Sequence, residues 1–157
     1  LGVLKTGVAV KQNSPHPVIG TRAELQAAFR AAEGIYFPDP KLATAGIHFF
    51  KVLQALGLEV ELADRFHTYP NGATAMRAMA QASGARVIGS TQVTEIKYTS
   101  GIDLVGLLPH EFELATVYAL GIPTQAQEPL LAQHLADLLT SETTRALRLS
   151  GGFELQD

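Results

Sequence analysis

A chain of 157 residues with a net charge of −3, in which 46% of residues are hydrophobic and 17% charged, can build one packed domain, or one domain and part of another. No basic block stands out, which argues against nucleic acid as a partner, and no apolar run reaches the roughly 18 residues of a membrane span. The absence of Cys excludes disulfides and thiolate chemistry.

The chain opens at Leu1-Gly2-Val3-Leu4 inside a strand, with no Met and no leader, and is read as processed or shortened upstream. Val3 to Val10 is an apolar strand, and Pro15 and Pro17 bracket a loop. Thr21 and Glu24 have the spacing of a capping box. The helix after them carries Leu25, Ala28, Phe29 and Ala32 on one face and is expected to stop at Gly34. Ile35-Tyr36-Phe37 reads as a short buried strand, and a helix from about Thr44 to Leu56 stops at Gly57. Leu58 to Leu62 alternates apolar and acidic residues, which predicts a half-buried strand. Asn71 is placed to cap a helix bearing Ala75, Met76, Met79 and Ala80 that ends at Gly84. Arg86-Val87-Ile88 is a further strand, followed by a short helix over Thr91–Tyr98. Ile102–Leu108 and Leu114–Ile122 complete the strands. Two helices close the chain, one bearing Leu131, Leu135, Leu138 and Leu139, the other capped by Ser141 and ended by Gly151.

Strands and helices alternating at this short spacing predict an α/β fold with a mostly parallel sheet flanked by helices. In such sheets ligands bind beyond the carboxyl ends of strands, where helices begin. Two stretches stand there. Thr44-Ala45-Gly46 follows the strand at Tyr36, and Ser90-Thr91 follows the strand at Val87. A helix start exposes unpaired N–H groups and the positive end of the macrodipole, and small residues let an anion come close. Ala45 and Gly46 are therefore either anion donors or ordinary packing residues. Ser90 and Thr91 are either ligand hydroxyls or plain helix caps. His16, His48, His67, His110 and His134 show no i, i+4 pair of a metal site, so no metal or other cofactor is expected. Neither G-x-S-x-G, a phosphate loop nor G-x-G-x-x-G is present, and a carboxylate pair at Asp39 and Glu95 would repel an anion. The expectation from motifs is a binding protein and not an enzyme, with Asp39 bracing its loop.

The stretches Thr6-Gly7-Val8-Ala9-Val10, Asp39-Pro40 with Ala45-Gly46-Ile47-His48-Phe49, Gly89 to Ile96, Leu107-Leu108-Pro109 with Glu111-Phe112, Ala115-Thr116-Val117-Tyr118 and Gly151-Gly152-Phe153 together resemble periplasmic solute-binding proteins of the molybdate-binding type, with the two-lobed type II fold. The resemblance covers nearly the whole chain. It implies one complete α/β lobe (residues 11–115), a hinge-crossing strand (residues 1–10), and the return crossover with the closing helices of a second lobe (residues 116–157), whose first part is absent. It implies capture of a small oxyanion such as molybdate or tungstate by an extracytoplasmic component of an ABC importer that hands it to a membrane permease. The ligand residues implied are Thr44, Ala45, Gly46, Ser90, Thr91 and Tyr118, the last through its phenol, which otherwise reads as a half-buried aromatic. A cytoplasmic sensing domain controlling transcription, or a binder of a small organic acid, are the alternatives. The Leu-rich closing helices need a partner surface, and a homodimer through that face is one way to supply it.

Overall fold

In the computed structural model the first strand, β1 (Gly2–Lys11), is the spine of the molecule; residues 1–155 are described. After it come α1 (Arg22–Ala31), β2 (Gly34–Pro38), α2 (Thr44–Ala55), β3 (Phe66–Tyr69), α3 (Gly72–Ala80), β4 (Val87–Gln92), α4 (Val93–Lys97), β5 (Ile102–Leu107), β6 (Ala115–Tyr118), α5 (Pro129–Thr140) and α6 (Arg145–Ser150). Strand order is β3-β2-β4-β1-β5, with β6 also on β1. β2 is parallel to β3 and β4, whereas β1 runs antiparallel to β4, β5 and β6. Five strands therefore share a direction and β1 opposes them, so the sheet is mixed. Helices on both faces complete the expected α/β architecture.

β1 serves two ladders. Its second half, from Thr6, pairs with β4, while Gly2–Lys5 pair with Ala115–Tyr118 of β6. One face of the sheet buries Val8, Val10, Ile35, Phe37 and Ile88 under Leu25 and Phe29 of α1 and Phe49 and Leu53 of α2. The other buries Ala9, Tyr36 and Val87 under Met76 and Met79 of α3 and Ile96 of α4. Burying each of the large side chains contributes roughly 1.5–3 kcal/mol.

Local chemistry fixes the elements. Thr21 and Glu24 make the capping box that starts α1. Asn71 accepts from the amide of Thr74 and starts α3. Gly57, at φ +68°, takes the left-handed turn that ends α2.

Several sequence expectations are corrected. Leu58–Leu62 is a turn, not a strand: Leu62 N–H donates to Leu58 C=O, and an i, i+4 pair of buried leucines with Val60 in solvent imitates alternation. The strand of that region is β3, an edge strand whose exposed His67 and Thr68 give no apolar signal. Gly34 opens β2 instead of ending α1, which stops at Ala31, and α3 stops at Ala80, before Gly84. Ser90 and Thr91 lie inside β4, and Gln92 is the residue before α4. The long strand expected over Leu114–Ile122 is only β6, and Ser141 donates its hydroxyl to Leu138 C=O without capping the next helix. That next segment is a short 3-10 turn, Glu142–Thr144, leading into α6.

The closing segment packs differently from the rest. No described residue of α5 is buried. Leu130, Leu131, Leu135, Leu138 and Leu147, with Val117 on β6, stand in solvent.

Candidate functional site

Because β2, β3 and β4 are parallel, their carboxyl ends meet at one edge of the sheet, and the helices that follow them all start there. Pro38, Ala43, Thr44 and Ala45 from the β2–α2 junction, Asn71 and Gly72 from the β3–α3 junction, Gln92 and Glu95 from the β4–α4 junction, and Tyr118 at the end of β6 line a cleft of about 190 Å³. Larger depressions lie on the surface, such as the open groove between the start of α1 and Pro109–Glu111, but among the described residues no other set of helix starts converges in this way.

The two long helices at the cleft differ at their amino ends. α3 is filled. Asn71 takes the Thr74 N–H at 2.9 Å, and the Glu95 carboxylate takes the Ala73 N–H at 3.1 Å. α2 is bare. Its N-cap is Ala43, which has no side chain able to accept, and its first turn contains no acid. The amides of Thr44, Ala45 and Gly46 have no partner among the described residues. The strand-to-helix loop is instead braced from within: Asp39 Oδ1 accepts from Lys41 N–H at 2.7 Å and Leu42 N–H at 3.0 Å, the role expected of that residue. A run of unpaired amides at the positive end of a twelve-residue helix is an anion receptor.

Glu95 is held from two elements. Thr91, fully buried in β4, donates its hydroxyl to Glu95 Oε2 at 2.5 Å, while Ala73 N–H reaches Oε1. Gly72 makes room for this arrangement. A Cβ there would stand 1.9 Å from Thr91 Oγ1 and 2.0 Å from Glu95 Oε2. Across the cleft, the Tyr118 hydroxyl donates to Gln92 Oε1 at 2.5 Å, and the Tyr118 ring packs edge-on against Phe153 at 5.9 Å. With its one proton given to Gln92, the Tyr118 hydroxyl faces a ligand as an acceptor, and the Gln92 amide NH₂ becomes the donor on that wall.

Of the residues singled out from sequence, the cleft brings together Thr44, Ala45 and Tyr118. Gly46 sits one residue deeper, pressed against Pro38 and Asp39. A Cβ at this position would stand 2.3 Å from both of their carbonyl oxygens. Ser90 is buried and its hydroxyl has no hydrogen-bond partner, while Thr91 turns to Glu95. Neither lines the cleft, because β4 runs on to Gln92, four residues past the Ile88 at which the sequence pattern ended the strand. His48 leaves it too, its Nε2 pairing with Phe112 C=O at 2.8 Å. Gly72, Gln92 and the capping Asn71 were missed as site residues. The signal available for them was position alone: each sits where a strand gives way to a helix.

Comparison with known proteins places the chain. A family model for bacterial extracellular solute-binding proteins matches residues 3–154. A protein named aconitate isomerase, from a Pseudomonas species, is 27% identical over 156 residues, covering 96% of this chain and 56% of that protein; the chain thus spans about half the length of the curated relative it matches. Among solved structures, a substrate binding domain assigned to a molybdenum ABC transporter of Clostridium difficile superposes with a TM-score of 0.69 at 13% identity, covering 99% of this chain and 65% of that one. The periplasmic molybdate-binding protein of Azotobacter vinelandii superposes with a TM-score of 0.66 at 16% identity, covering 99% and 69%. The expectation of a protein that is not an enzyme is corrected by the first of these relatives, which carries an enzyme's name over nearly the whole of this chain. Motif absence could not have found this, since a cleft that binds a substrate needs no nucleophile signature. The chain belongs to the bacterial extracellular solute-binding proteins.

Proposed function

We propose that this chain is the anion-capturing lobe of an extracytoplasmic solute-binding protein, and that it holds one charged end of a small ligand on the bare N–H groups of Thr44 and Ala45. The observation that carries this reading is the uncapped start of α2 at the wall of a cleft. Capture is by neutral donors: among the described residues, no cationic side chain lines the cleft, and helix amides suffice for an anion. The names of the relatives agree on charge, since molybdate is an oxyanion and aconitate a tricarboxylate. On this reading residues 1–10 and 116–155 supply the hinge strand, the return crossover and the closing helices of a second lobe that would close over the ligand, and a membrane permease of the ABC class would receive it.

The test is Ala43→Asp. Ala43 has the extended backbone of an N-cap (φ −100°, ψ 129°), so an aspartate there caps α2 as Asn71 caps α3. Binding of citrate, succinate and molybdate, measured by calorimetry, is expected to be lost while stability rises by roughly 0.5–2 kcal/mol. Unchanged affinity would overturn the assignment.

A second reading, catalysis on the captured acid, is favoured by the name of the Pseudomonas relative. Incubating the protein with trans-aconitate and following its vinyl proton by NMR tests it: appearance of the cis isomer supports it, and an unchanged spectrum rejects it.

A further inference from the structure

The two helix starts at the cleft are chemically unequal, and the inequality is built by one side chain. A tetrahedral oxyanion held between two helix ends needs both to be open. Here the end of α3 already holds a carboxylate. Glu95 Oε1 accepts from Ala73 N–H, and Glu95 Oε2 is tied down by Thr91, a residue with no exposure. The carboxylate is not a surface group that has drifted in. Its tether comes from β4, its acceptor place from α3, and the space it occupies exists because residue 72 is glycine. It is also the one charged group lining the cleft among the described residues. Any ligand seated on α2 therefore has a fixed negative charge facing it from the α4 side.

We infer that Glu95 is a specificity-determining residue that makes this cleft select a carboxylic acid over a tetrahedral oxyanion. The inference rests on the reading of α2 as the anion receptor and names the ligand class of that same site. A carboxylic acid separates its charge from its body. It gives two oxygens to the amides of Thr44 and Ala45 and turns its C–H or O–H surface toward Glu95. A compact dianion such as molybdate has no uncharged side to turn. It meets Glu95 with full charge and finds the amide of Ala73 already taken. Gln92, whose carbonyl is engaged by Tyr118, leaves its NH₂ free to donate to a second oxygen of the acid.

Glu95→Ala empties the end of α3, and Glu95→Gln leaves a neutral group of the same shape there, so the second variant keeps the fold even where the first loosens it. The measurement is calorimetric titration of the full chain and both variants with molybdate, citrate and succinate, together with wild-type circular dichroism as the check on folding. The inference expects wild type to bind at least one of the two carboxylates at least tenfold more tightly than molybdate. It expects Glu95→Ala to tighten molybdate binding at least tenfold and Glu95→Gln to tighten it by a smaller factor, with carboxylate affinity changing less than molybdate affinity in each variant. Wild type that prefers molybdate, or variants whose molybdate affinity stays within twofold of wild type, overturns the inference and leaves the anion site on α2 standing. No binding of any of the three by wild type overturns both.

Discussion

The Glu95 carboxylate lies 3.1 Å from the amide of Ala73, in the place that an external anion would take at the start of α3. The corresponding place at α2, one strand over, is vacant of any side chain, with alanine as the N-cap. The same local device, a helix starting at the carboxyl end of a parallel strand, is thus closed at one junction and open at the next. That difference locates the anion receptor more sharply than the shape of the cleft does.

Tyr118 acts through Gln92. Its hydroxyl donates to Gln92 Oε1, so Tyr118→Phe is expected to weaken ligand binding by about fivefold, the worth of one hydrogen bond of ~1 kcal/mol. Gln92→Ala should cost at least as much, and the double variant should cost no more than Gln92→Ala alone. Additive losses in citrate affinity would show that the phenol touches the ligand independently.

The hydroxyl of Ser90 is buried in β4 without a hydrogen-bond partner, as is that of Thr6 on the paired strand. A buried polar group left unpaired costs roughly 1–3 kcal/mol. Ser90→Ala is therefore expected to raise stability in urea by up to about 1 kcal/mol and to leave citrate affinity within twofold. A loss of affinity with unchanged stability would restore Ser90 to the ligand site.

Gly46 presses its α-carbon against the carbonyls of Pro38 and Asp39. Gly46→Ala forces the start of α2 away from the end of β2 and is expected to destabilise the fold by about 1–3 kcal/mol. Affinity should fall as well, because the amides of Thr44 and Ala45 move with the helix. A variant as stable as wild type would contradict this close approach.

Helix α5 buries no described residue, and an isolated helix of this length is marginal in water. Its amides are expected to exchange with deuterium orders of magnitude faster than those of β1, β4 and α2, which carry the core. Protection equal to the core's would mean that the leucines of α5 and α6 are covered in solution.

The parts of this fold legible in sequence were those written in local chemistry. Thr21 with Glu24, Asn71, Gly57 and the leucine and phenylalanine spacing of α1 and α2 each specify a cap, a stop or a face. Asp39 was legible too, since an Asx brace is set by residues two and three positions on. What failed was whatever depends on partners distant in sequence. β3 is an edge strand held by β2 alone, so its own composition carries little signal. Ser90 and Thr91 resemble a helix cap locally, but pairing with Val8 and Gly7 of β1 keeps them extended and moves the start of α4 beyond them. Tyr118 was suggested for the site by the resemblance alone, and its bond to Gln92, a residue 26 positions earlier, carried no sequence signal. The closure of α3 by Glu95 likewise needs β4, α3 and α4 in place at once.

The most direct test of the central claim is an amide NMR titration of the wild-type chain with citrate and with succinate. The account predicts that the N–H signals of Thr44, Ala45 and Gly46 shift together and saturate, while that of Ala73, already donating to Glu95, stays in place. Saturable binding that moves Ala73 and leaves residues 44–46 unshifted would contradict it.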